Sequence, residues 1–408
     1  MARTPSGRPG HPRGAGRSSG GAGRVPGHPS PDAPSGGRRS SDARSARAPA
    51  PAPAAGRTGG LTLEVTFLPG LGQVVSDEVT ELLHPARPPR AVPGRDDALR
   101  LDLTGPLRDV LSLRTAVAAF VVRHFDVPRP RSLTSGDHLA RIVEAMYASL
   151  RVAGSSSFRF EAAGSGSAAF ARLADELHRA TGLAYDEDRG ELVVRVVRGH
   201  AAGPDPGWDV LVRVGPRPLS ARRWREVDLP GAANATIAAA MTRLAGVRPE
   251  DRVLNLMCGS GTLLVERLLA GPAATAVGVD DDPAALDAAR TNLRAAGRRT
   301  VRLVAADATS PEALATALGD ERFDLLLADP PWGALLGSHA TAPAVHAGLL
   351  RAAHAVAAPG ARLAVLTHEV RVMERAVAAA GDLWTPAGEP LRVFAKGHHP
   401  RIWLLHRA

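Results

Sequence analysis

The four consecutive residues Asp329-Pro330-Pro331-Trp332 bring a carboxylate, two φ-locked backbones and an indole into one short loop. The Asp329 carboxylate and the Pro330 carbonyl can both accept from a single planar NH2 group. The prolines stiffen the loop that presents them, and Trp332 offers a face on which a base can stack. Upstream, Asn255-Leu256-Met257-Cys258-Gly259-Ser260-Gly261-Thr262 reads as a strand end entering a glycine turn that opens a helix, where a ligand can approach the backbone closely. A G-x-G pair fits several nucleotide ligands, but Leu264 stands where a dinucleotide site has its third glycine. Asp280, 21 positions after Gly259, can accept from ribose hydroxyls, and Asp307 can accept from an adenine amine. A dehydrogenase has no use for the Asp-Pro-Pro-Trp loop.

The elements that must position these groups follow from hydrophobic periodicity. After Arg217 the chain alternates RVLNLM (252–257), a helix from Gly261, TAVGVD (275–280), a helix from Pro283, TVRLVAAD (300–307), FDLLLADPP (323–331), a helix around 342–357, ARLAVLTHE (361–369), another helix, then LRVFAKG and RIWLLHR. This order predicts a doubly wound parallel sheet with ligands at the carboxyl ends of its strands, and an antiparallel hairpin at its edge, joined through GHHP. Between Leu61 and Arg217, segments such as LTLEVTF, ALRLDL, FRFEA and ELVVRVVR mix with helical stretches without a nucleotide loop, an α+β region with no reactive constellation. The predicted fold class is therefore α/β, a Rossmann-like domain preceded by an α+β module.

Residues 1–60 are Arg, Pro, Gly, Ser and Ala with almost no large apolar side chain and read as a disordered tail. Residues 1–58 hold ten arginines against Asp32 and Asp42, a charge of +8. The rest of the chain carries 40 basic and 39 acidic side chains, so a wholly cationic, histone-like protein is excluded. Every basic side chain except Lys396 is Arg. Four arginines and a tryptophan crowd Arg217, Arg222, Arg223, Trp224 and Arg225, a concentration suited to phosphate and base contact, with a solvated linker as the alternative. The single cysteine excludes a disulfide framework and points to a reducing compartment. The absence of an apolar leader or a span of ~20 residues predicts a cytoplasmic chain off the membrane. Cys258 lies inside the glycine turn with no basic partner nearby in sequence and reads as a packing residue, not a nucleophile. His398 and His399 have no third ligand at metal spacing, so no metal is expected. A monomer is the default.

The loop, the glycine turn and the two carboxylate-ended strands resemble the amino-methyltransferases that use S-adenosylmethionine. Together with the element order, TFLPGLGQVVSDEV (66–79) and the arginine cluster, the chain resembles the THUMP-domain RNA methyltransferases over roughly residues 61–408. GHHPRIWLLHR and the stretch from Trp332-Gly333 to Ser338-His339 are most similar to the enzymes forming N2-methylguanosine in the tRNA acceptor stem. The resemblance implies a ferredoxin-like domain at 61–130, a THUMP-like RNA-binding domain at 131–215 and a catalytic domain at 216–408. It implies Cys258, Gly259, Ser260, Gly261 and Thr262 around the methionine part of S-adenosylmethionine, with Asp280 on its ribose, Asp307 on its adenine, and Asn234 and Asn255 nearby. Asp329, Pro330, Pro331 and Trp332 would take the target amine, and tRNA would be the partner. The sequence departs from the family at Ala235, usually Pro, and at Asn255, usually Asp. Ribosomal RNA as substrate, or a noncatalytic RNA-binding protein with a degenerate fold, are the alternatives.

Overall fold

The computed structural model describes residues 60–200, 205–331 and 340–408. The expectations for residues 1–59 and for Trp332 to His339 lie outside them. Alternating residues of β1 (Leu61–Thr66) place Leu63 and Val65 in the core. Glu64, a polar position in that alternation, is buried as well, and Arg95 and Arg100 reach its carboxylate at 2.6 and 3.1 Å. With β2 (Arg90–Ala91), β3 (Ala98–Leu103), β4 (Ala118–Phe125), β5 (Ser157–Ala162), β6 (Ala184–Tyr185), β7 (Leu192–Arg198) and β8 (Trp208–Arg213), β1 forms a sheet ordered β2-β3-β1-β4-β8-β7-β5-β6. β4 pairs with β8 antiparallel from Phe120↔Arg213 to Phe125↔Trp208, so the segments before and after residue 130 share one continuous sheet. The helices α1 (Gly72–Leu83), α2 (Gly136–Val152) and α3 (Ala168–Thr181) bring Val75, Ile142 and Leu173 to the same core as Leu63 and Val212.

The second sheet contains β9 (Arg252–Leu256), β10 (Thr275–Asp280), β11 (Arg302–Ala305), β12 (Phe323–Ala328), β13 (Ala357–Thr367), β14 (Trp384–Pro386), β15 (Leu391–Arg392) and β16 (Arg401–Arg407). Its order is β11-β10-β9-β12-β13-β16-β14, with β15 beside β16, and β9 to β13 run parallel. A continuous apolar run such as Leu325-Leu326-Leu327-Ala328 suits a strand covered on both faces. The covering helices are α4 (Ala235–Ala245), α5 (Thr262–Ala270), α6 (Pro283–Ala295), α7 (Pro311–Leu318), α8 (Ala342–Val356) and α9 (Val370–Ala379). The strand order reverses between β9 and β12, whose carboxyl ends are in register at Leu256↔Ala328. A crevice outside those ends is where such a sheet binds ligands.

The expected edge hairpin is corrected on two counts. β16 lies inside the sheet, antiparallel to β13 on one side and to β14 and β15 on the other, so its backbone groups are paired along both flanks, and Ile402, Trp403 and Leu405 are buried. The turn is made by Lys396-Gly397, one step before GHHP. Ala395 and His398 exchange both backbone hydrogen bonds there, at 3.0 and 2.9 Å. Among the described residues, no helix is long and apolar enough to cross a membrane.

Candidate functional site

The carboxyl ends of β9, β10, β11 and β12 open onto a cavity of about 600 Å³, within the usual range of small-molecule sites. Met257 leaves β9 at φ +51°, a left-handed conformation that a side chain rarely adopts, and Gly259 follows with the same φ. A Cβ at Gly259 would point into open space, so the bare backbone faces the cavity. Its N–H donates to Asp280 Oδ2 at 2.7 Å, and the Asp282 N–H donates to Oδ1 at 3.1 Å. One carboxylate thus stitches the glycine turn to the end of β10 and keeps further lone pairs for a ligand. Burial pushes the Asp280 carboxyl above the usual range, while these two N–H donors oppose the shift. Asp307 accepts from the N–H and the hydroxyl of Thr309 through Oδ1, at 2.8 and 2.7 Å, with Oδ2 remaining for a ligand.

Asp280, Asp281, Asp282, Asp307 and Asp329 all line this cavity, and no Arg or Lys is among its described lining residues. Five carboxylates repel a pyrophosphate and attract a ligand carrying cationic centres, an amine and hydroxyls. Ser260 Oγ, also at the cavity, is buried without a hydrogen-bond partner and can serve a ligand carboxylate. The donor set therefore fits S-adenosylmethionine and not a dinucleotide. Cys258 is buried, with its thiol raised well above the usual range by burial and by Asp280, which leaves it inert as a nucleophile. Thr262 lines the cavity as well, and its hydroxyl accepts from Arg225 at 3.0 Å.

A second cavity of about 710 Å³ shares residues 229–233 and Asp329 with the first. Asp329 Oδ1 is buried without a partner, and burial pushes its carboxyl up to about 7. Pro330 and Pro331 line the first cavity beside it, and Trp332 lies outside the described residues. The second cavity is walled by Asn234, Arg225, His368, Lys396 and His398. Asn234 caps α4, accepting from the Thr236 N–H and hydroxyl at 2.9 and 2.7 Å. Burial and the neighbouring His398 push His368 down to about 4.

Several sequence-predicted residues sit elsewhere. Asn255 and Gly261 do not line the first cavity. Asn255 is fully buried, its amide donating to the Leu256 and Leu327 carbonyls at 3.2 and 3.1 Å, so it ties β9 to β12 behind the site. Gly261, at φ +79°, packs on Ala289 and starts α5. The arginine cluster divides. Arg217 and Arg223 are exposed, whereas Trp224 is buried and Arg222 is committed to Glu266 at 2.8 Å and to two backbone carbonyls. Arg225 is held by Asp228, the Ala233 carbonyl and Thr262. Arg222 and Trp224 thus serve as interior fastening and are not presented to a large ligand, whereas Arg225, although paired, also lines the second cavity. The sequence reading missed Met257, which carried no signal. It also missed Lys396, whose signal was its being the one lysine.

The family model described as "RMKL-like, methyltransferase domain" matches residues 222–389. A tRNA (guanine(6)-N2)-methyltransferase of Thermus thermophilus is 31% identical over 365 residues, covering 85% of this chain and 99% of that protein. A tRNA (guanine(10)-N2)-dimethyltransferase of Methanothermobacter thermautotrophicus is 33% identical over 104 residues, 26% of this chain and 29% of that protein. Among solved structures, TrmN from Thermus thermophilus superposes with a TM-score of 0.65 at 27% identity, over 85% of this chain and all of that one.

Proposed function

The chain belongs to the THUMP-type family of tRNA guanine-N2 methyltransferases, and we propose that it transfers a methyl group from S-adenosylmethionine to the exocyclic N2 of guanosine 6 in the tRNA acceptor stem. The observation that carries this reading is Asp329, whose buried, unpartnered Oδ1 stands where the acidic cavity meets the second one. When bound, S-adenosylmethionine supplies an electrophilic methyl group on a cationic sulfur. Asp280 holds the ribose, Asp307 the adenine amine, and Ser260 with the Gly259 backbone the methionine end.

The target base enters from the second cavity. Guanine N2 is a weak nucleophile because its lone pair is delocalised into the ring. The Asp329 carboxylate and the Pro330 carbonyl each accept one N–H, turning the remaining lone pair toward the methyl group. As the new C–N bond forms and the S–C bond breaks, the nitrogen gains positive charge. Asp329 stabilises that charge and then receives the proton. A nucleotide paired in a stem has to be flipped out, and Trp332 stacks on it in place of its neighbours. The exposed Arg217 and Arg223 meet RNA phosphates, and residues 61–215 hold the rest of the tRNA so that residues 216–408 can perform the chemistry.

The test is incubation of the full chain with methyl-labelled S-adenosylmethionine and a tRNA transcript, followed by mass spectrometry of its nucleosides. N2-methylguanosine that disappears when guanosine 6 is replaced by adenosine is the expected result. Label only in ribosomal RNA would move the substrate, and no calorimetric binding of S-adenosylmethionine would mean a degenerate fold.

A further inference from the structure

Lys396 stands apart in the chain: the other 49 Lys and Arg side chains are arginines. It occupies the first position of the two-residue Lys396-Gly397 turn, with φ +50° followed by φ +82°. Two successive positive φ angles define the turn favoured in tight hairpins, in which the first position strongly prefers Asn, Asp or Gly. Lysine has no local hydrogen bond to offset the left-handed backbone, so the fold carries strain at this position. Residues held in this way cluster at binding and catalytic sites.

The hairpin that presents Lys396 is fixed from both sides. The Val393 N–H donates to the Pro400 carbonyl at 3.0 Å, and the Phe394 N–H donates to the Pro69 carbonyl at 2.9 Å. Pro69 belongs to the turn before α1, where Gly70 lies so close that an added Cβ would come within 2.1 Å of the Arg392 carbonyl oxygen. The first sheet's own turn thus props the hairpin against the second cavity, which Lys396 lines together with Asp329. Arg225, the other permanently cationic group on that wall, is already bound to Asp228, Ala233 and Thr262. Lys396 is exposed and forms no hydrogen bond or ion pair among the described residues.

We propose that the Lys396 ammonium binds an RNA backbone phosphate next to the target nucleotide, on the wall of the cavity that it lines together with Asp329. The assignment rests on the functional reading above. An exposed, propped and compact cation suits a phosphate there. An ammonium can also donate to a phosphate from several directions, whereas a guanidinium requires its planar fork to be aligned.

Lys396→Asn tests this cleanly, because Asn favours the left-handed turn and keeps the hairpin folded. The variant should melt no lower than the parent and bind S-adenosylmethionine unchanged. Its KM for tRNA should rise about tenfold at low ionic strength, with single-turnover kcat at saturating tRNA within about twofold, and the log–log salt slope of tRNA binding should fall by about one. Lys396→Arg should keep the slope. If Lys396→Asn left both KM and slope at parental values, or lowered kcat alone, the phosphate assignment would be wrong. A parent enzyme that methylated no tRNA would instead overturn the functional reading.

Discussion

At Asp329 two consequences of burial run in opposite directions with pH. Its carboxyl is pushed up to about 7, and the acceptor form exists only above that value. Single-turnover methylation should therefore rise with pH through an apparent pKa at or below about 7, lowered by the cationic cofactor, and then level off. Asp329→Ala should slow the step by ~10²-fold or more and abolish this limb, with tRNA affinity nearly intact. For stability the sign reverses. A folded value raised above the unfolded one near ~4 gives stability that is full below that unfolded value and is lost as pH rises through the folded one. Asp329→Asn should therefore stabilise the cofactor-free protein at pH 8, by on the order of 2 kcal/mol, and much less at pH 4, as read by thermal melts. Asp280→Ala removes the proposed ribose acceptor together with the anchor of the Gly259 N–H. Calorimetry should show S-adenosylmethionine binding weakened by ~1.5–3 kcal/mol, and unchanged affinity would reassign the ribose.

Among the elements, α5 carries more than the glycine turn at its start. Glu266, on this helix and fully buried, accepts from Arg114 Nε at 2.7 Å and Arg222 Nε at 2.8 Å. Arg114 precedes β4 in the first sheet and Arg222 belongs to the linker, so one carboxylate joins three parts of the chain. Removing it leaves two largely buried guanidinium groups uncompensated. Glu266→Ala should cost ~3–5 kcal/mol by denaturant unfolding, far more than loss of an exposed pair such as Arg290–Asp287. The glycine turn and the parallel run of β9 to β12 were legible beforehand because they are local. The placement of Arg222 and Trp224 was not, since their crowding in sequence is the same whether the side chains face RNA or the interior.

On the scale of the whole molecule, one apolar cluster runs from Leu63 and Val75 through Trp224 and Ile237 to Val265 and Ile402, while a second, with Leu254, Leu326 and Trp384, lies wholly within residues 216–408. The proposed division of labour between residues 61–215 and 216–408 is therefore not matched by a clean division of the core. An isolated 216–408 fragment would expose apolar faces of α4 and α5 and lose the Arg114–Glu266 contact. Its melting temperature should lie more than ~10 °C below that of the full chain, or it should not fold at all; a fragment melting with the full chain would show that the two halves are energetically separate.

The sequence by itself determined the strand and helix alternation after Arg217, the glycine turn, and the carboxylates at strand ends. Periodicity and local turn chemistry act within a few residues, and Asp280, Asp307 and Asp329 end their strands at one rim for that reason. Only tertiary structure decided that β16 inserts beside β13, that Asn255 turns inward, and that Lys396 stands on the same cavity as Asp329. Each of these depends on segments tens to hundreds of residues apart, such as Pro69 against Phe394. Burial and charge pairing at that range are properties of the packed chain, and no local pattern encodes them.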